Sequence, residues 1–232
     1  HQEGILYNTG YRLASLRINN ETKVNDVIKL GFNIAPSLMF EHNTRTSAQT
    51  DGYRETILGG MLSSPLAPAV NPDGSLPLNA TSPNLFNSVN WYRKLLETKD
   101  DWKTSRLLGN AFAEINLLKG LTYKLQTSTD MGMATRDYFL PSTAVGSFNV
   151  TPPGNASAIF QSSNYYSWLV ENTLNYSLKY KEHAIEALAG YSAQSFRDET
   201  GTASGNTFPD NTIPFVTPAA IRDGSSAASE WT

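Results

Sequence analysis

Cysteine is absent from this chain, which excludes a disulfide framework and any thiolate site. Also missing is an apolar run approaching the ~18 residues of a membrane helix, although 40% of the residues are hydrophobic. Histidine is scarce: His1, His42 and His183 lie far apart, without the paired spacing that suits a metal. Positive charge is not in excess. With 18 Lys and Arg against 21 Asp and Glu, the net charge is −3, and no basic patch marks a nucleic-acid binder. Gly59-Gly60 lacks the strand-loop-helix setting of a phosphate cradle. Asp100-Asp101 and Asp198-Glu199 are neighbours on extended chain, where side chains diverge, so they read as solvated loop edges rather than acid/base pairs. No enzyme and no cofactor follow from these residues. His1-Gln2-Glu3-Gly4 has neither the basic start nor the apolar run of a signal peptide, and Ser229-Glu230-Trp231-Thr232 stops within a polar stretch. The expectation is an internal segment of a larger protein.

What the chain does have is alternation. From Leu107 to Leu117 the odd positions Leu107, Gly109, Ala111, Ala113, Ile115 and Leu117 oppose Arg106, Asn110, Glu114 and Asn116. Successive side chains of a strand point to opposite faces, so this is a strand with one oily and one wet side. The same period-two pattern predicts strands at about 11–22, 28–41, 104–117, 121–136, 165–180 and 183–198. Tight turns at Asn25-Asp26, Leu118-Lys119-Gly120 and Lys181-Glu182 join them in pairs. Long polar connections separate the pairs at 42–103, at 138–163 and from Glu199 onward. Pro36 lies inside the second strand, where a bulge or a locally unpaired edge is expected. Within the first connection, Tyr53 to Leu62 and Ser88 to Thr98 read as short helices, the second capped by Asn87 or Ser88.

Short turns at one end and long loops at the other suggest antiparallel up-and-down hairpins of a transmembrane β-barrel. Strands of ~10 residues, rising ~3.3 Å each and tilted ~45°, cross the ~25 Å apolar band of an outer membrane. A lysine or arginine near its midplane costs ~2–4 kcal/mol. The oily faces carry no central charge; Asn172 is the polar intruder, while Glu114, Lys124, Asp130, Glu171 and Lys179 fall on the other side. The predicted lipid-facing residues are Leu107, Ala111, Ile115, Leu121, Tyr123, Leu125, Trp168, Val170, Leu174, Tyr176, Ile185, Ala189 and Tyr191. The alternative is a secreted soluble β-sandwich that binds glycans, its oily faces meeting across a core. Both readings use loop aromatics. Trp91, Tyr92 and Trp102 are candidates for substrate or partner contact, and Trp91 with Leu95 equally suits local packing of a helix. Asp210-Asn211 fits either a calcium-binding loop or a plain turn.

Several stretches resemble SusC/RagA-type TonB-dependent transporters of the Gram-negative outer membrane. They are Lys103 to Glu114 (KTSRLLGNAFAE), Leu118 to Lys124 (LKGLTYK), Arg136 to Pro141 (RDYFLP), Ser167 to Tyr176 (SWLVENTLNY) and Ala187 to Gln194 (ALAGYSAQ). Leu62 to Pro68 (LSSPLAP), followed by Asn71 to Gly74 (NPDG), resembles the family's first long surface loop. The resemblance implies an energy-coupled importer of oligosaccharides or peptides, with a closed barrel, an internal plug and a SusD-like surface lipoprotein as lid. It also implies outer-membrane lipid around the wall and the TonB complex engaging the plug. This chain matches neither plug nor closing strand, so the resemblance covers a stretch of mid-barrel whose short turns are periplasmic and whose loops are extracellular.

Overall fold

A computed structural model describes residues 2–43, 56–81, 87–147 and 150–232, with backbone alone at 56–58. The elements in order are β1 (Gln2–Glu3), β2 (Gly10–Ser15), β3 (Ile18–Lys23), β4 (Ile28–His42), α1 (Thr56–Leu62), β5 (Asn79–Ala80) and β6 (Ser88–Val89). They continue with α2 (Trp91–Glu97), β7 (Lys99–Leu118), β8 (Leu121–Leu140), β9 (Ser157–Tyr180), β10 (His183–Asn206) and β11 (Ile221–Trp231). One antiparallel sheet runs β1-β2-β4-β7-β8-β9-β10-β11, with β3 also on β4, and β5 and β6 form a separate small pair. The sheet does not close on itself.

Pro36 explains why the expected first strand is two pieces. Leu16 N donates to Pro36 O at 3.0 Å, but proline has no N–H to return, and the ladder lapses between β2 and β3. On the opposite side β4 pairs with β7 without interruption, Pro36 facing Leu107. No residue is inserted, so this is the unpaired edge and not the bulge.

The long-loop ends depart from the sequence pattern. β7 begins at Lys99, β8 reaches Leu140, β9 starts at Ser157 and β10 ends at Asn206. The connections accordingly shrink to 43–98, 141–156 and 207–220. A further strand, β11, occupies ground expected to be loop, pairing Trp231 with Phe196 through to Ile221 with Asn206. The extensions of β9 and β10 and the whole of β11 are rich in Ser, Gly and Asn and carry no period-two signal; backbone hydrogen bonds hold them. The first two residues of the expected helix at 53–62, with Glu55, lie outside the described residues, and α1 occupies the rest. The second helix is shorter than expected, and its cap is Asn90 rather than Asn87 or Ser88.

Register makes the oily strands one surface. Residues directly opposite in an antiparallel ladder point to the same side. Ile115 faces Tyr123, which faces Leu174, which faces Ala189. Ala113, Leu125, Asn172 and Tyr191 form the next row, and Ala111, Thr127 and Val170 another. Leu107, Leu121, Trp168, Tyr176 and Ile185 share that face by the same ladders. Moving away from the short turns, it carries no Asp, Glu, Lys or Arg until Lys103 in β7, Asp137 in β8 and Arg197 in β10.

A sandwich would bury this face under a second sheet, and it is open instead: Tyr191 is 70% and Ile185 55% exposed. The buried cluster lies at the long-loop end. There Phe139, Ala156 and Ala158 pack with Phe208 and Val216, Phe139 meeting Phe208 edge-on at 5.4 Å. Val89, Asn90, Trp91 and Ala144 are buried among the loops as well.

Candidate functional site

The face opposite the oily one is a hydrogen-bonded wall. Arg106 in β7 donates through Nε to Asp130 Oδ1 at 3.0 Å and through Nη2 to Oδ2 at 2.7 Å. Tyr165 OH donates to the same Oδ1 at 3.1 Å. A Cβ on Gly132 would lie 2.4 Å from the Tyr165 ring, so glycine is what lets the phenol reach across β8. Asn110 Nδ2 donates to Ser128 Oγ at 2.9 Å, and Lys124 faces Glu114 with its ammonium 5.0 Å from the Phe112 ring. These pairs are solvated and add little stability, each about 0–1 kcal/mol. Their chemical consequence is a water-wettable surface with both signs of charge.

At the long-loop end of the same face, Arg136 is clamped. Its Nε and Nη2 each reach an Asp100 carboxylate oxygen at 2.6 Å, while the guanidinium carbon sits 5.1 Å from the Trp102 ring and 5.3 Å from Tyr138. Asp100 is 3% exposed, so the solvated edge expected there is incorrect. A buried carboxylate needs a bidentate partner, and the ladder supplies one by pairing Asp100 with Tyr138 and Trp102 with Arg136. Asp101 points to the other side, where His42 Nδ1 approaches its Oδ1 at 2.5 Å.

A packed layer of loops caps this end. Asn90 is its hub: the side-chain oxygen accepts from Tyr92 N at 3.1 Å and Arg93 N at 3.2 Å, capping α2. Its amide donates to Ala69 O at 2.7 Å and Pro77 O at 3.0 Å, fastening the preceding loop. Lys94 Nζ reaches Gly146 O at 3.0 Å, and Thr143 Oγ1 donates to Glu97 at 2.5 Å, joining the first connection to the second. Ser142 N donates to Asn211 Oδ1 at 2.9 Å and joins the second to the third. Asp210 accepts from Thr212 N at 2.7 Å, and that backbone donor holds its carboxyl below the usual range. Asp210-Asn211 therefore serves as a turn and a loop tie. Asp73 is lowered likewise, by the hydroxyl and then the amide of Ser75.

The three loop aromatics do not converge. Trp91 is 4% exposed and lies so close to α1 that a Cβ on Gly59 would sit 2.3 Å from its ring. It packs. Tyr92 meets Tyr7 edge-on at 5.9 Å near the start of the chain, and Trp102 stacks on Arg136 at the mouth of the polar wall. Asn172, the polar side chain on the oily face, has its amide oxygen paired there: Tyr123 OH donates to its Oδ1 at 2.6 Å. Sequence reasoning missed Asn90, Lys94 and the Arg136–Asp100 pair. The capping preference of asparagine is a signal for the first; nothing local signals the other two, which depend on register.

Among the described residues no cluster of His, Asp or Glu is arranged for a metal, and no helix is long and apolar enough to cross a membrane. No family model matches the chain. It is 26% identical over 207 residues to TonB-dependent receptor P26 of Formosa agariphila, a match spanning 86% of this chain and 19% of that relative. Among solved structures, the RagAB peptide transporter superposes with a TM-score of 0.71 at 17% identity. The RagAB peptide importer in its open-open state gives 0.75 at 17% identity, and in its closed-closed state 0.72 at 19%. Each superposition covers 96% of this chain and 25% of the other. At such identities the likeness speaks to fold: this is an unclosed stretch of antiparallel β-barrel wall with long loops at one rim.

Proposed function

We propose that this chain is part of the outer-membrane barrel of a SusC/RagA-type TonB-dependent importer in a Gram-negative bacterium. One observation carries the proposal. A continuous oily face, uncharged from the short turns up to Lys103, Asp137 and Arg197, is left uncovered, while its reverse is a wet, ion-paired wall. Water penalises the first of these surfaces and hydrocarbon penalises the second; a membrane around an aqueous lumen suits both. The names of the similar proteins, a TonB-dependent receptor and a peptide transporter, support the same reading.

In this role the oily face meets lipid. The short turns face the periplasm, and the three connections form an extracellular rim. The polar wall lines the path of an oligosaccharide or peptide. Residues 1–232 supply wall and rim; the plug through which TonB acts, and the remaining strands, belong to the rest of the receptor. A SusD-like lipoprotein rests on the rim, where Trp102 and Tyr92 are the aromatic candidates for contact with partner or cargo.

The test uses adjacent residues. This segment has no native cysteine, so once any cysteine elsewhere in the full receptor is replaced, Val170→Cys and Glu171→Cys can each be introduced singly and studied in bilayers. Cysteine at 170 is expected to resist a water-soluble maleimide and to contact spin-labelled lipid, while cysteine at 171 is modified. Equal modification of both would refute the wall.

A further inference from the structure

Resting on that wall reading, we infer that Arg12 and Lys103 bind the phosphate-bearing headgroup of an anionic lipid in the outer leaflet. The ladder sets Arg12, Phe40 and Lys103 in one row on the oily face. Strands lie ~4.8 Å apart, so the backbones that carry the two cations stand roughly 10 Å apart with that of an aromatic residue between them. Arg12, Ala14, Phe40, His42, Asp101 and Lys103 line an open cleft of about 620 Å³ there. Toward the short turns the same strand offers Leu38, Pro36 and Ile34, a track for acyl chains.

Charge singles this cleft out. Asp101 already faces His42 at 2.5 Å and Lys99 at 3.7 Å, and Glu41, which points to the polar wall, accepts from Asn43 Nδ2 at 2.8 Å. Among the described residues neither Arg12 nor Lys103 has an ion-pair partner. Of the other cations with that parity, Arg197 is taken by Glu199 and Lys99 by Asp101. Two uncompensated cations where the apolar band ends are complementary to anionic headgroups, with their stems lying along the hydrocarbon.

The full receptor in maltoside micelles is titrated with diphosphorylated lipid A and with the same lipid dephosphorylated, bound lipid being counted by native mass spectrometry. Wild-type protein is expected to retain the phosphorylated lipid selectively. R12Q/K103Q is expected to bind it roughly thirtyfold more weakly, about fivefold per cation. R12K/K103R, which keeps both charges and controls for folding, should bind as wild type does. Excess inorganic phosphate should not displace the lipid. Equal retention of both lipids, unchanged binding by R12Q/K103Q, or displacement by phosphate would each overturn the site. The cysteine labelling at 170 and 171 reads the wall separately, so failure of one is not mistaken for failure of the other.

Discussion

Single residues carry opposite obligations according to the parity of their position. Ala111 faces the oily side and Ser128 the wet one, near the same height on paired strands. With the oily face in lipid, as proposed, Ala111→Arg in the full-length protein is expected to cost ~2–4 kcal/mol, while Ser128→Arg should be close to neutral. Denaturant unfolding in detergent checks both, and equal losses would contradict the assignment of faces. Asn172 is a subtler case, because its single hydrogen bond from Tyr123 keeps an amide tolerable among apolar side chains. Tyr123→Phe should destabilise by about 1–3 kcal/mol, and adding Asn172→Leu should recover most of the loss, since the unsatisfied group is then gone. Asn90→Ala removes the cap of α2 and the donors to Ala69 and Pro77 together. A loss of about 1–2 kcal/mol is expected from the cap, with faster amide exchange across 69–78 as the local readout.

At the level of elements, hairpins depend on their turns. Gly120 has φ +83°, and a Cβ there would sit 2.2 Å from Ser177 O on the neighbouring hairpin. Gly120→Ala therefore meets both a backbone it rarely adopts and a clash with main chain. The expected result is misassembly of β7–β8, seen as loss of the heat-resistant, fast-migrating form on gels. Normal assembly would show that the turn tolerates a shift. Elements also show where periodicity stops being informative. Where one face is oily, every other residue is predictable, and the strands of the three hairpins were legible there, β2 and β3 as a single run. Beyond it, Ser157–Ser163 and Gly201–Asn206 have water or loops on both sides, so nothing selects alternation. β11 is the extreme: Arg222, Gly224, Ser226, Ala228 and Glu230 share the oily side's parity yet spell no strand. Its existence rests on pairing with β10.

Across the whole molecule, the open sheet leaves β1 and β3 at one edge, β11 at the other, and a broad apolar face between them. Buried apolar side chains are concentrated in the loop layer, which is too small to hold such a sheet flat in water. The chain produced alone in detergent-free buffer is expected to aggregate and to show little amide protection in β4 and β7. A monodisperse, cooperatively unfolding monomer would mean that something other than lipid and neighbouring strands stabilises it.

By itself, the sequence determined which side chains share a surface, where the tight turns fall and that charge stays off one face, because these follow from the period of a strand and the cost of burying charge. Tertiary structure alone decided that Arg136 meets Asp100 and that Trp91 is buried under α1. It likewise decided that Arg12 and Lys103 flank Phe40. These are contacts between distant stretches of chain, and register between strands, unlike alternation within one, is written in no local pattern.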